Sequence, residues 1–143
     1  MEKATINIKT FQSDGVSPEE EILNIVTDGG YSFKDGALYL SYKESAISGM
    51  EGTTTVLKID NDGFVMKRVG NLFSKMQFVP GKRSKSVMHT PHGNLNIEIL
   101  TGKIDKKISE YPFSLDMNVN YDISVSNSFF VGRNRIVITA EGD

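Results

Sequence analysis

Two oppositely charged residues occupy alternating stretches of the sequence in which the other residues on the same face are apolar. Glu44 lies two residues after Tyr42, and Arg68 lies two residues after Met66. Alternate residues of a β-strand point to the same side, so both charges are predicted to face one apolar interior. A guanidinium offers a planar fork of donors to an anion, and a carboxylate in an apolar interior is a candidate general base.

This pair allows three interpretations. In the first, Glu44 and Arg68 bind each other and fix the strand register, because a buried unpaired charge is costly. In the second, Arg68 holds a small amphipathic or anionic ligand whose tail lies on the apolar wall. In the third, Glu44 is the base of an enzyme, a role that the nearby positive charge of Arg68 opposes. We expect no catalysis, and the candidate ligand-binding residues are Tyr31, Tyr42, Glu44, Arg68 and Tyr121.

The remaining motifs do not specify a reaction. His89 and His92 are the only histidines, and neither a Cys nor a nearby acidic residue completes a metal shell around them. The sequence has no Gly-x-Ser-x-Gly elbow for a nucleophilic serine. The glycine-rich stretch 48–52 lacks the Lys-Ser/Thr of a phosphate loop. We therefore expect no catalytic residue, no metal and no cofactor.

Length and charge set further limits. The 143 residues fit a single domain, predicted to span 1–143, and the absence of Cys excludes disulfides. The start of the chain lacks the apolar core of a signal peptide, and no apolar run approaches the ~20 residues of a membrane span. The predicted location is therefore the cytoplasm, without membrane partners. The net charge of −2 does not favour nucleic-acid binding, and two basic clusters, 82–85 and 103–107, fall at predicted turns or strand ends.

A period of two dominates the elements that must position these residues. From 113 to 125 every second residue is apolar, and the residues between are polar, which is typical of an antiparallel sheet with one dry face. The same pattern, interrupted by turn motifs such as Lys34-Asp35-Gly36, predicts ten strands: 3–12, 20–33, 36–44, 53–60, 63–69, 72–79, 83–90, 94–104, 112–126 and 129–140. One short helical turn is predicted at Ser17-Pro18-Glu19-Glu20-Glu21, where Ser precedes Pro and three acidic residues.

Short connections between sequential strands predict a meander. A flat sheet of this size would expose two long edges, and closure into a barrel removes them. The predicted fold is thus all-β, a closed antiparallel meander β-barrel of about 8–10 strands. A two-sheet sandwich is the alternative, although it usually has longer crossing connections.

Several short motifs, in this order, resemble those of the YwiB-like family of bacterial proteins. They are Thr27-Asp28-Gly29 followed by Tyr31, Tyr42-Lys43-Glu44-Ser45, Gly52-Thr53-Thr54-Thr55, Arg68-Val69-Gly70, Met76-Gln77-Phe78, Thr90-Pro91-His92-Gly93 and Thr101. One departure is His92, where an aromatic such as Tyr is expected. The resemblance implies a lipocalin-like (calycin-type) barrel in a cytoplasmic bacterial setting and no assigned activity. The absence of Trp rules out the Gly-x-Trp signature of secreted lipocalins.

An alternative function is a structural or interaction module that acts as a homodimer. Its basis is a set of apolar residues on the predicted outer faces, namely Tyr39, Val56, Leu100 and Val137. Single exposed apolar residues are common on protein surfaces, so this alternative depends on whether the four residues form one patch.

Overall fold

The backbone of the chain is almost entirely extended. A computed structural model describes residues 1–14, 19–125 and 131–143. The strands are β1 (Glu2–Ser13), β2 (Glu21–Lys34), β3 (Ala37–Lys43), β4 (Thr53–Ile59), β5 (Phe64–Gly70), β6 (Ser74–Phe78), β7 (Arg83–Thr90), β8 (Gly93–Ser109), β9 (Ser114–Val125) and β10 (Val131–Gly142). One turn of 3-10 helix, Ala46–Ser48, lies between β3 and β4.

The strands form one antiparallel sheet whose order around the barrel is β6-β5-β4-β3-β2-β1-β10-β9-β8-β7. Each strand therefore forms a ladder with its neighbours in sequence, except that β6 and β7 stand at the two ends of this order, and the ladder between β1 and β10 joins the first and last strands of the chain. Within the described ranges, the junction of β6 and β7 has a single bridge, between Phe73 and His89, and the Ser86 hydroxyl donates to the Lys75 carbonyl at 2.8 Å. The predicted all-β antiparallel barrel is confirmed, and it is nearly closed.

The interior is filled by one face of every strand, as the period of two predicts. In β9, Leu115, Met117 and Val119 are buried, whereas Ser114, Asp116 and Asn120 are exposed. The buried apolar residues of the other strands form a single cluster with them. Burial of this apolar area is the main favourable term that holds such a barrel together.

The tight turns follow the chemistry that their residues predict. Asp35 and Gly36 join β2 to β3 with φ angles of 53° and 79°, the positive values that a two-residue hairpin turn of type I′ requires. Asp60 stabilises the turn between β4 and β5, because its Oδ1 accepts from the backbone N–H groups of Asp62 and Gly63 at 2.9 and 3.2 Å. These turns set the register of the strands that carry the candidate site.

Two sequence predictions need correction. The helical turn at 17–21 is wrong as far as it is described, since Glu19 and Glu20 are not helical and Glu21 begins β2; residues 17 and 18 lie outside the described part. β8 extends to Ser109 because a register shift between Thr101 and Ile104 lets it continue pairing with β9. The predicted ends at 126 and 129–130 also fall on residues that are not described. No described helix is long and apolar enough to cross a membrane.

Candidate functional site

A row of polar side chains crosses four neighbouring strands on the inner face of the barrel. Tyr42 of β3 pairs with Thr55 of β4, Thr55 pairs with Arg68 of β5, and Arg68 pairs with Ser74 of β6. Residues opposite each other in a ladder lie on the same face, with Cβ atoms about 5 Å apart. The predicted inward direction of Arg68 is therefore correct, and the intervening residue of β5, Lys67, is exposed.

Glu44 joins this row through hydrogen bonds to neutral groups. The Thr55 hydroxyl donates to Glu44 Oε1 at 2.7 Å, and side-chain hydrogen bonds also connect Tyr42 to Thr55 and Glu44. Among the described residues, no Arg68 nitrogen lies within 4.0 Å of a Glu44 oxygen. The first interpretation of the pair, a direct ion pair that fixes the register, is therefore wrong.

Arg68 faces the interior without an ion-pair partner in the described part of the chain. Its Nε atom is buried and has no hydrogen-bond acceptor among the described residues, although the side chain as a whole is only partly buried. The hydroxyl of Ser74, a residue with 0% exposure, is also buried and unpaired. A buried donor without a partner costs about 1–3 kcal/mol, so these two neighbours are the least satisfied polar groups of the row.

The opposite wall contributes Tyr121. Its ring lies edge-on to Phe78, with centroids 5.2 Å apart, and its side chain bonds to Asn134 of β10. The positive charge of Arg68 acts to lower the pKa of Tyr121, as it does that of Tyr42. Thr101 pairs with Tyr121 in the ladder and has a buried, unpaired hydroxyl. We define the polar cluster as Tyr42, Glu44, Thr55, Arg68, Ser74 and Tyr121.

Of the five predicted candidates, Tyr31 lies outside the polar cluster. It faces inward but pairs with Leu40, which is two residues before Tyr42 on β3. Tyr31 therefore lies nearer than Tyr42 to the end of the barrel where the first and last described residues meet. Its ring stacks on Phe113 at a centroid distance of 3.8 Å and lies edge-on to Phe33. Its surroundings are aromatic. Sequence analysis did not select Ser74 and Thr101 as site residues. Both lie on the same strand face as predicted core residues, and this alternation could have identified them as inward-facing.

The phenols of the polar cluster are held in their neutral form. Burial raises the pKa of Tyr42 above its usual range, and the charge of Glu44 raises it further, whereas Arg68 and the hydrogen bond to Thr55 act in the opposite direction. Burial likewise raises the pKa of Tyr121, and Asn134 and Arg68 oppose this. Both hydroxyls therefore remain donors at neutral pH.

The raised pKa of Tyr42 predicts a loss of stability in alkali. The folded state binds the phenol proton more tightly than the unfolded state, so this contribution is complete below the unfolded pKa of about 10 and declines as the pH rises above it. We expect the free energy of unfolding to decrease less steeply with rising pH in Tyr42→Phe than in the parent protein, above a pH of about 10. Urea titrations at a series of alkaline pH values measure this, and equal slopes for the two proteins would contradict it.

The other sequence motifs lie outside the polar cluster. His89 forms a 2.9 Å hydrogen bond with Asn94, and across the described ranges no group of three or more His, Cys, Asp or Glu is placed to hold a metal ion. A cleft of about 430 Å³ opens where β1 ends and β2 begins, and Gln12, Ile123 and Asn134 form part of its wall. Asn134 also bonds to Tyr121, so this residue connects the cleft to the polar cluster.

Comparison with known proteins identifies the family. A family model described as Domain of unknown function (DUF1934) matches residues 6–138. The chain belongs to this family. The crystal structure of the ywiB protein from Bacillus subtilis resembles it with a TM-score of 0.85, at 22% identity, over 99% of this chain and 92% of that one. At this identity the likeness of the DUF1934 chain to ywiB shows a shared fold, and with the family match it confirms the YwiB-like resemblance. No curated protein matches.

Proposed function

We propose that this DUF1934 chain is a non-catalytic binding module that holds a small organic anion against Arg68, inside a lipocalin-like (calycin-type) barrel. The observation that carries the proposal is the state of Arg68, an inward-facing cation whose Nε is buried and unpaired and which has no carboxylate within 4.0 Å in the described chain. An oxyanion would supply the missing acceptors through charge-assisted bonds. The predicted ligand site thereby becomes Tyr42, Glu44, Arg68 and Tyr121, with Ser74 added.

The donors around Arg68 favour a planar anion with two oxygens. The guanidinium fork matches the geometry of a carboxylate, and the unpaired Ser74 hydroxyl is its direct ladder neighbour. The phenols of Tyr42 and Tyr121 supply neutral polar groups. Arg68 is the one cation of the polar cluster, and Glu44 would repel a second negative charge, so a ligand with a single negative charge suits the site better than one with two.

The packing favours a small ligand over one with a long tail. Leu40, Leu57, Met66, Met76 and Phe78 lie along the interior next to the polar cluster, and all are buried. Protein interiors are close-packed, so a fatty chain would have to displace several of these side chains. We therefore favour the anionic over the amphipathic form of the ligand.

A binding role fits the polar cluster better than an enzymatic one. A general base needs to be within hydrogen-bond reach of the proton that it removes, and Glu44 Oε1 already accepts from Thr55 at 2.7 Å. A working location in the cytoplasm is also part of the proposal, supported by a sequence without Cys. The homodimer alternative has less support, because its four residues, Tyr39, Val56, Leu100 and Val137, are all partly buried.

The proposal predicts that Arg68→Met weakens anion binding. We expect benzoate to bind the parent protein and benzylammonium, of similar shape and opposite charge, not to bind. Loss of a charge-assisted hydrogen-bond pair should raise the Kd for benzoate about tenfold or more in Arg68→Met. Calorimetry measures the affinities, and native mass spectrometry of freshly purified protein shows whether an anion is already bound.

The matched control is Lys67→Met, which removes the same charge from the exposed face of the same strand. It should leave the Kd for benzoate unchanged. Arg68→Met should fold with equal or greater stability, because it removes a partly buried unpaired charge. A homogeneous apo mass together with no binding of benzoate, or an equal loss in both variants, would overturn the proposal.

A further inference from the structure

Half of β2 has a free edge. Residues 21–31 pair with β1, but β3 pairs only with Gly29–Lys34. Residues 21–28 thus lack a ladder partner on the β3 side within the part of the chain that is described. We call residues 21–28 the β2 edge. An unpaired edge presents a row of N–H and C=O groups that another strand can use.

The side chains of the β2 edge are poorly covered on both faces. On the lumen-facing side, Leu23 pairs with Thr10 yet is 38% exposed, because no β3 residue stands next to it. On the outer side, Ile22 and Val26 are exposed, Val26 at 63%. Apolar residues therefore stand on both sides of an open backbone ladder, which is the arrangement that an added strand would cover.

We propose that the β2 edge binds an extended peptide segment of a partner protein, with apolar residues at alternate positions and basic residues at its ends. The segment would add a strand antiparallel or parallel to β2. Its backbone would pair with the free groups of the edge, its apolar residues would cover Ile22 and Val26 on the outer face, and the side chains between them would cover Leu23 on the inner face. The β2 edge shares no residue with the polar cluster, although it ends next to Gly29, the ladder partner of Tyr42.

The charge of the β2 edge selects the basic partner. Glu20 and Glu21 at one end and Asp28 at the other are all exposed. A second copy of this chain fits poorly, because antiparallel pairing along the full edge places Glu21 opposite Asp28. Parallel pairing in register would place each acidic residue beside its own copy. Like charges directly opposite each other destabilise a strand pair, whereas Lys or Arg at the ends of a peptide would be attracted.

The test uses a fluorescent peptide of alternating Val and Thr, as long as the edge and with Lys at both ends. We expect it to bind and to slow amide hydrogen exchange at residues 21–28. A peptide with Glu at both ends, and a Lys peptide with N-methylated backbone, should each bind at least tenfold more weakly. The first comparison tests charge, and the second tests backbone pairing.

Val26→Lys and Val69→Lys form a matched pair of variants. Both positions are exposed, at 63% and 45%, and only Val26 belongs to the β2 edge, whereas Val69 lies on β5. Val26→Lys should weaken binding of the Lys peptide at least tenfold, and Val69→Lys should leave it unchanged. The proposal is overturned if the Lys peptide does not bind, if protection falls elsewhere, if the two variants behave alike, or if the protein alone self-associates through residues 21–28.

Discussion

Replacement of Phe78 by alanine is expected to lower the free energy of unfolding by about 3–5 kcal/mol. Phe78 is 1% exposed, stacks on Phe64 with centroids 4.3 Å apart, and meets the ring of Tyr121 edge-on. Its removal would leave a cavity between three strands that cannot close without moving the backbone. Urea denaturation of the two proteins gives the difference, provided that the m-values agree.

Phe73→Ala is the matched control, because Phe73 lies just before the same strand but is 45% exposed. Its cost should stay below about 1 kcal/mol, as for most surface positions. Equal losses in the two variants would mean that Phe78 does not lie in a dry interior. Since Phe78 contacts Tyr121, the larger loss should also let water reach the polar cluster.

The second large effect is expected at Gly29, which lies between Ala4 and Tyr42 in the ladders of β2. A methyl group at this position would overlap the carbonyl oxygen of Ser41 and would come within 2.6 Å of Ile6 Cδ1. The Ser41 oxygen belongs to the backbone of β3 and cannot move without breaking the pairing that positions Tyr42. We expect Gly29→Ala to cost about 3 kcal/mol or more, at the upper end of overpacking effects.

The neighbouring glycine provides the control for Gly29→Ala. A methyl group at Gly30 would meet mainly the side chain of Met1, with a nearest approach of 2.9 Å to its Cβ, and Met1 is 68% exposed, so it can shift into solvent by the few tenths of an ångström required. Gly30→Ala should therefore change the free energy of unfolding by no more than about 1 kcal/mol. Thermal and urea unfolding of both variants measures the difference, and a Gly29→Ala protein as stable as Gly30→Ala would contradict the predicted β2–β3 contact.

The alternation of apolar and polar residues was sufficient to predict most of the strands and their inward faces. Because one face of each strand is dry, the pattern around Met117 and Val119 predicted both the strand and its inward side, and the pattern around Met66 placed Arg68 in the interior. Turn chemistry at Asp35 and Gly36 predicted the hairpin. The error at Glu21 has a physical cause, since a Ser-Pro-Glu pattern suits a helical start locally, whereas pairing with Gln12 of β1 decides the outcome.

The candidate site was only partly predictable, because alternation gives the face of a residue but not its height in the barrel. Tyr31 and Tyr121 both point inward, yet the register and tilt of the strands bring only Tyr121 within reach of the charge of Arg68. Nor does a sequence show which hydroxyls lack partners, as in Ser74. That property depends on contacts across the lumen between strands far apart in the chain.

The wall between β6 and β7 makes the barrel mechanically uneven. Among the described residues every other pair of neighbouring strands is joined by a ladder of several residue pairs, whereas here the backbone of Phe73 and His89 exchanges only two hydrogen bonds, of 2.9 and 2.8 Å. The strand pair with the fewest hydrogen bonds separates most easily, so heat, denaturant or an entering ligand should move β6 away from β7 first. Because β6 carries Ser74 and pairs with the strand of Arg68, the β6–β7 junction lies next to the polar cluster. The barrel should therefore open by separation of β6 from β7, while its other strand pairs stay together.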